Sequence, residues 1–582
     1  MSEADRATGT KFSWPLYGVL AGAAALIFGQ FPAWAAYPRS AEGGRMAVAT
    51  DNEEATRVAM KTLRAGGNAV DAAIAATLTL GVVSPAASGL GGGGFVMVYS
   101  AATKKITVID FRETAPAHLR PSDFERRPNE SREELWQRRG YQIGVPGEPA
   151  GLQWLSTHLA KRALSVNAAP AAAIAKRGFP LGQHLRDVAE YYTAEIARVP
   201  ALASLFVGPS GLFPAGTRIV RPHLARTLER LGREGAKPFY SGDIARKIVT
   251  AARQIGSPID GDDLASYTVT EREPLVRTID GRTIATMPAP SAGGLMLLEA
   301  ASIFGIGERS ELKSSGFGSS EYLHKVSEAM RGALADRARI ASDPNVDPET
   351  EGRYDQALST AQIEARRALI DPTHTRAMPE FNLHEHGTTH LVVADEAGNV
   401  VSLTTTINTG FGVKCVAGDT GILLNDELDD FTVASDIAQY GIGVGTNRPR
   451  PGARPVSSMM PTIVFENGRP ILAVGGSGGR RIATGVTQAV LARLVFGLDP
   501  SASISSPRVH LGSQGELMIE QEIVEDVRAG LRAKGEREGT DQALSKGSQN
   551  AVQMMAIEWD RDGAPTFKAA SDPRKVGFAM AN

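Results

Sequence analysis

A chain of 582 residues can hold several domains or one large sandwich, so length alone leaves the domain count open. Hydrophobic residues at 42% and charged residues at 22% suit a soluble globular protein with a sizeable core, and a net charge of −2 leaves no electrostatic footprint for nucleic acid. Cys415 is the only cysteine, which excludes an intrachain disulfide and a structural zinc site of CxxC or paired Cys/His spacing.

Between Lys11 and Arg39 no residue is charged, and WPLYGVLAGAAALIFGQFPAWAA is apolar enough for a secretory h-region. Ala33-Trp34-Ala35 is a small-x-small cleavage pattern, so residues 1–36 are expected to be a removed signal peptide. Left uncut, the run is long enough to span a bilayer and would anchor the chain in the inner membrane. Either outcome implies an exported, periplasmic protein. No later segment is long and apolar enough to span.

From Met46 the pattern becomes globular. An amphipathic helix is predicted from about Glu53 to Arg64, stopped by Gly66-Gly67, and a second from about Val70 to Val82, ahead of Pro85; the two should pack as a hairpin. The glycine run 89–94 leads into a strand and lacks a following Gly-Lys-Ser/Thr, so it reads as close backbone packing rather than a phosphate loop. FVMVY and ITVIDF are predicted strands turned at Lys104-Lys105. The stretch from about Gly151 to Asp343 reads as mostly helical. After His384 the texture turns to hairpins: LVVADEAGNVVSLTTTIN turns at Ala397-Gly398-Asn399 and TIVFENGRPILAV at Asn467-Gly468. A helix from Ile482 to Phe496 follows the glycine cluster GGSGGRR. Strands flanked by long helices in both halves predict stacked sheets covered by helices, an α/β layer architecture.

Thr388, in HGTTHLVVAD, stands at the mouth of a strand behind the unhindered Gly387. Taken alone it is an ordinary strand threonine. A threonine hydroxyl is a poor nucleophile without a base, but an N-terminal threonine carries one in its own α-amine, whose ordinary pKa of about 7.7–8.0 leaves it substantially neutral near pH 7–8. Cutting Gly387–Thr388 would therefore be an activating step. His384, Glu385, His386 and His390 resemble metal ligands but straddle this junction, and no metal is expected there.

GGNAVDAAIAATLTLGVVSPAASGLGGGGFVMVY, VIDFRETAP, MPAPSAGG, TTHLVVADEAGNVVSLTTTINTGFG, AGDTGILLNDELDDF, RPVSSMMPT and GGSGGRRI resemble, in order, the signature blocks of the γ-glutamyltransferase (γ-glutamyltranspeptidase) family. The resemblance covers nearly all the chain from Met46 and is weakest over about 160–220. It implies an N-terminal-nucleophile hydrolase that cuts itself before Thr388 and needs no cofactor. Its fold would be an αββα sandwich shared by a large subunit, residues 37–387, and a small catalytic subunit, residues 388–582. The implied partners are a glutathione-like γ-glutamyl donor and an acceptor amine or water.

Carried over by position, the resemblance makes Thr388 the nucleophile and Thr406 the hydroxyl that positions it; Gly478 and Gly479 supply backbone N–H groups to the oxyanion. Arg112 would grip the substrate α-carboxylate, helped by Ser457 and Ser458, while Asn408, Glu427 and Asp430 receive the α-ammonium. Without the resemblance, Arg112 would read as a surface ion pair, Thr406 as a strand threonine, and Asp426-Glu427-Asp429-Asp430 as an acidic turn or loose calcium site. The run Ser435 to Arg454 sits where many members carry a lid over the pocket. The alternatives are a glutaryl-cephalosporin acylase or polyglutamate transpeptidase sharing the nucleophile, or a membrane-anchored binding protein that never matures.

Overall fold

The computed structural model describes residues 39–125, 127, 129–376, 387–433, 446–512, 514–539 and 550–582. The expected signal peptide or anchor, His384, Glu385, His386 and residues 434–445 of the expected lid lie outside them. Among the described residues, no helix is long and apolar enough to cross a membrane.

The first half contributes β1 (Ala41–Gly43), β2 (Ala47–Thr50), α1 (Glu53–Arg64), α2 (Ala69–Val83), β3 (Gly93–Ser100) and β4 (Lys105–Asp110). It continues with α3 (Glu148–His158), α4 (Leu164–Arg177), α5 (Gln183–Tyr191), α6 (Pro222–Glu234), β5 (Thr270–Arg272), β6 (Leu275–Ile279), β7 (Arg282–Thr286), α7 (Gly293–Phe304) and α8 (Ser320–Ile340). Beyond Gly387 come β8 (Thr389–Ala394), β9 (Val400–Thr406), β10 (Thr462–Glu466), β11 (Arg469–Ser477), α9 (Arg481–Leu494), β12 (Ala551–Trp559), β13 (Pro565–Ser571) and β14 (Phe578–Ala581).

These strands form two seven-stranded sheets, in the orders β1-β13-β12-β11-β10-β7-β6 and β14-β2-β8-β9-β3-β4-β5. Period-two alternation decides which residues join which core. Ala47, Ala49, Phe95, Met97, Val392 and Val400 point between the sheets, into a core shared with α7, α8 and α9. Their neighbours Val48, Val96, Val98, Leu391, Val393 and Val401 point the other way, against α1, α2, α4 and α6. The result is the expected αββα sandwich. Each sheet interleaves strands from before and after Gly387, so chains cut at that point would stay joined by both ladders.

Local chemistry explains the elements that flank the site. Asn52 caps α1 by accepting from the Glu54 N–H at 2.9 Å, and Asn68 with Asp71 forms a capping box on α2. The glycine run is close packing, as read: a Cβ on Gly91 would lie 1.8 Å from the Leu423 carbonyl oxygen, and one on Gly92 1.9 Å from that of Thr406. The middle third is mostly helical, as read, but it also holds β5, β6 and β7, of which β5 and β6 are edge strands and β7 lies between β6 and β10; the half-exposed, charge-bearing sequence LVRTI masks β6, while Asp280 and Gly281, at φ of 50° and 80°, form the hairpin turn between β6 and β7.

Candidate active site

Thr389 of β8 pairs with Thr405 of β9, so Thr388 and Thr406 fall at the next facing position, at the end of both strands. Both are buried, at 3% and 2% exposure. The chain runs unbroken through Gly387–Thr388, and the Thr406 hydroxyl donates to the Gly387 carbonyl oxygen at 2.6 Å while accepting from the Asn408 N–H at 2.8 Å. The Thr388 hydroxyl lies against the same carbonyl oxygen. In the uncut chain, then, Thr406 polarises the carbonyl that Thr388 would attack rather than bonding the Thr388 hydroxyl itself. Only glycine fits at 387, since a Cβ there would stand 2.1 Å from the Asn408 carbonyl oxygen.

On the far side of Thr388 its carbonyl oxygen accepts from the Lys575 ammonium at 3.0 Å. That ammonium also donates to the Ser477 hydroxyl at 2.7 Å and lies 3.4 Å from Asp51, which accepts from Ser477 at 2.9 Å and from the Gln553 amide. Ser477 ends β11 and is followed by Gly478 and Gly479, at φ of 114° and 60°, just before α9 begins. Among the described residues neither glycine N–H donates a hydrogen bond. Two unpaired amides at a helix N-terminus, fixed through Ser477 and Lys575 to Thr388, suit an oxyanion.

Arg112, fully buried after β4, pairs with Glu427 and, at 2.6 Å, with Asp430; its Nε donates to the Pro455 carbonyl at 2.6 Å. Asn408 donates to Asp430 at 3.1 Å, which ties the cluster back to Thr406. Ser457 and Ser458 adjoin it: the Val456 carbonyl accepts from Arg112 at 3.3 Å, the Ser458 hydroxyl accepts from Arg337 at 2.6 Å, and the Ser457 hydroxyl caps the Met459 N–H at 3.0 Å. All six sequence-derived pocket residues thus gather around one centre. The cation and the two acids intended for a substrate's opposite charges here satisfy one another, so a zwitterionic head would enter by exchanging ion pairs.

Two acids at this centre escaped sequence reasoning. Burial pushes the Glu113 carboxyl up to about 8, only partly opposed by Arg112, and neither of its oxygens has a hydrogen-bond partner among the described residues. Burial likewise pushes Glu148, which accepts from Thr405, up to about 7. Glu427 is also driven up, by burial and then by Glu113, against its ion pair with Arg112. A carboxyl whose folded pKa exceeds its unfolded value adds stability at low pH that is lost as pH rises through the folded value. The melting temperature should therefore fall between about pH 4.5 and pH 8, and Glu113→Gln should flatten part of that fall in thermal melts; an identical slope in the variant would refute this assignment.

His390 is neutral, pushed down to about 3 by burial between the sheets, with its ring nitrogens on Thr404 at 2.8 Å and Ser402 at 3.3 Å. It is a core histidine whose ring is engaged by the hydroxyls of the neighbouring strand. A different group, His324, Glu328 and Glu536, has the spacing to hold a cation, but Arg331 already bonds both carboxylates. Lys575, Asp51 and Ser477 were not legible in advance, since they come from three distant parts of the chain. The only local signal was a lysine in the Asp572-Pro-Arg-Lys turn.

The profile of the family described as gamma-glutamyltranspeptidase matches residues 55–582. The chain is 32% identical over 552 residues to a glutathione hydrolase proenzyme of Bacillus subtilis (strain 168), covering 92% of this chain and 91% of that protein. It is 33% identical over 541 residues to one from Escherichia coli (strain K12), covering 91% and 90%. In fold it is similar to a cephalosporin acylase from Bacillus halodurans, at TM-score 0.80 and 22% identity, covering 95% of this chain and 98% of that one. The chain is a member of the γ-glutamyltranspeptidase family.

Proposed function

We propose that the chain is a proenzyme that cuts itself between Gly387 and Thr388, and that the freed Thr388 then cleaves γ-glutamyl amides such as glutathione, passing the acyl group to water or to an amine. The observation that carries this reading is the junction itself: a half-buried Gly387 carbonyl with the Thr388 hydroxyl against it and the Thr406 hydroxyl donating to it at 2.6 Å. In the first stage Thr388 Oγ attacks the Gly387 carbonyl while the Thr406 hydroxyl stabilises the developing oxyanion; the Gly387–Thr388 C–N bond breaks, the Thr388 nitrogen takes the hydroxyl proton, and water then hydrolyses the Oγ ester to free the Gly387 carboxylate. In the second, the new Thr388 α-amine serves as the base its hydroxyl lacked. The γ-carbonyl oxygen is then held by the Gly478 and Gly479 N–H groups, and the glutamyl head by Arg112, Asn408, Glu427 and Asp430 with Ser457 and Ser458. The names of the relatives support the same donor class.

The test is the mass and N-terminal sequence of the purified protein, with γ-glutamyl-anilide hydrolysis measured on the same sample. Two fragments, the smaller beginning Thr-Thr-His, together with hydrolysis are expected. Cleavage without hydrolysis would move the enzyme to another acyl group, and one intact, inactive chain would leave a binding protein. The uncharged run between Lys11 and Arg39 supports export to the periplasm with residues 1–36 removed; cell fractionation should find the activity in the periplasmic extract, and recovery only from membranes would favour a retained anchor.

A further inference from the structure

The nucleophile and the groups assigned to its oxyanion stand on different sheets. Thr388 precedes β8 of one sheet, whereas Ser477 ends β11 of the other and leads straight into Gly478 and Gly479. Lys575 lies in the connection from β13 to β14, which crosses between the sheets, and Asp51 directly follows β2. An ammonium has three N–H donors, and that of Lys575 meets three acceptors: the Thr388 carbonyl oxygen at 3.0 Å, the Ser477 hydroxyl at 2.7 Å and Asp51 at 3.4 Å. Asp51 is held in turn by the Ser477 hydroxyl at 2.9 Å and by the Gln553 amide. The side chains of Lys575 and Asp51 are 9% and 4% exposed. A buried cation and anion thus join the two sheets, and the cation is bonded to the nucleophile's own residue.

Within one residue the nitrogen and the carbonyl oxygen are about 3 Å apart, so the α-amine that cleavage creates at Thr388 lies roughly 6 Å from the Lys575 ammonium. Among the described residues the other charges around it are paired or absent. On one side stands Asn408, whose amide donates to the Asp426 carbonyl and to Asp430; Asp430 and Glu427 are paired with Arg112, and the Asp426 carboxylate accepts from Thr409 with Lys414 beside it. On the other side Lys575 and Asp51 help to line a cavity of about 520 Å³, in whose wall Glu53 pairs with Arg57 and Glu54 with Arg177, and which Arg218 also lines. His184 in the same wall is pushed down to about 4 by burial and then by Lys575, so it is neutral at pH 7, as is His390 on β8. The charge that faces the new amine most directly is that of Lys575.

We infer that Lys575 is a positioning residue of the acyl transfer: it holds Thr388 against the amides beyond Ser477, and its ammonium keeps the new Thr388 α-amine in the unprotonated form that the reaction needs. The inference rests on the proposed function. A free α-amine ordinarily has a pKa of about 7.7–8.0 and is mostly protonated at pH 7. A like charge about 6 Å away, at the effective dielectric of a protein site, lowers it by about one unit. The neutral amine then takes the Oγ proton as the bond from Oγ to the γ-carbonyl carbon forms, and gives that proton to the departing amine as the C–N bond breaks. Asp51 acts in the opposite sense from behind Lys575, so the pair sets the balance.

The pH profile of kcat/KM for γ-glutamyl-anilide hydrolysis tests this, because its acidic limb reports the base of the free enzyme. Lys575→Met keeps the chain length, removes the charge and leaves Asp51 unopposed, so the limb should move up by about one pH unit, a loss of about tenfold in kcat/KM below it. Lys575→Arg should restore the limb. Asp51→Asn keeps the shape and leaves Lys575 unopposed, so it should move the limb down. A role in structure alone would lower the rate in these variants with the limb in place. Glu113 and Glu148 titrate in the same range, but among the described residues neither is bonded to Lys575 or Asp51, so opposite shifts in the two variants single out the amine. Periodate cleaves the 2-amino alcohol of an N-terminal threonine when its amine is neutral, so the pH dependence of that cleavage, read by mass, gives the same pKa without any γ-glutamyl chemistry. A limb unmoved in either processed variant would overturn the inference. Two fragments without hydrolysis would count against the proposed donor, and the periodate titration then decides the role of Lys575 by the same shifts; a single uncut wild-type chain would reject both readings.

Discussion

Thr388→Ala is expected to yield one uncut polypeptide of 61.5 kDa, less any N-terminal segment removed on export, with no measurable amide hydrolysis. The hydroxyl against the Gly387 carbonyl is the attacking group in both stages, so its loss removes cleavage and turnover together; deleting the nucleophile of a serine hydrolase costs on the order of 10⁶ in kcat. Thr406→Ala is expected to differ in kind. It removes the donor at 2.6 Å from the Gly387 carbonyl oxygen but leaves the nucleophile, and loss of one oxyanion donor typically slows a reaction about 10²–10³-fold. Pulse-chase gels should show slow appearance of the same two fragments, and Thr406→Ser should restore the rate. Unimpaired cleavage in Thr388→Ala would remove Thr388 from the role, and normal maturation in Thr406→Ala would reduce the Thr406 contact to a strand-end hydrogen bond.

The second large effect is at Arg112. Its removal strips the cation from buried Glu427 and Asp430, and breaking a buried pair from one side typically costs about 3–5 kcal/mol. Arg112→Ala should therefore raise the donor KM strongly and also lower stability, a consequence the resemblance by itself did not suggest. The sign with pH follows from the abandoned acids: without Arg112 their folded pKa values rise, so the variant should be least impaired at low pH and lose stability as pH rises. Chemical denaturation of wild type and variant across pH 5–8 checks this. An unchanged denaturation midpoint at pH 8 would mean that other groups neutralise the acids.

Much of the fold was legible because its signals are local. The period-two runs at 95–99 and 391–394, the Asn467-Gly468 turn with φ of 52° and 75°, and the helix stop at Gly66 each depend on a few neighbouring residues. The strands of 270–286, two of the three at sheet edges, were harder to read, because strands exposed along one side carry Arg and Thr where a central strand carries Val and Ile. At the site, long motifs identified Thr388, Thr406, Arg112, Asn408, Glu427, Asp430, the serine pair and the glycine pair as candidates, and the structure brings them together.

By itself the sequence determined the sandwich, the family blocks and the candidate nucleophile, because alternation, turn residues and motif order are properties of contiguous stretches. Which groups touch was decided by the tertiary structure alone. Lys575 holds Thr388 from 187 residues away, Arg112 reaches Glu427 and Asp430 across more than 300 residues, and Glu113 keeps its proton because the packed sandwich excludes water from it. Desolvation and pairing between distant groups have no period and no spacing, so they exist only once the two sheets have closed on each other.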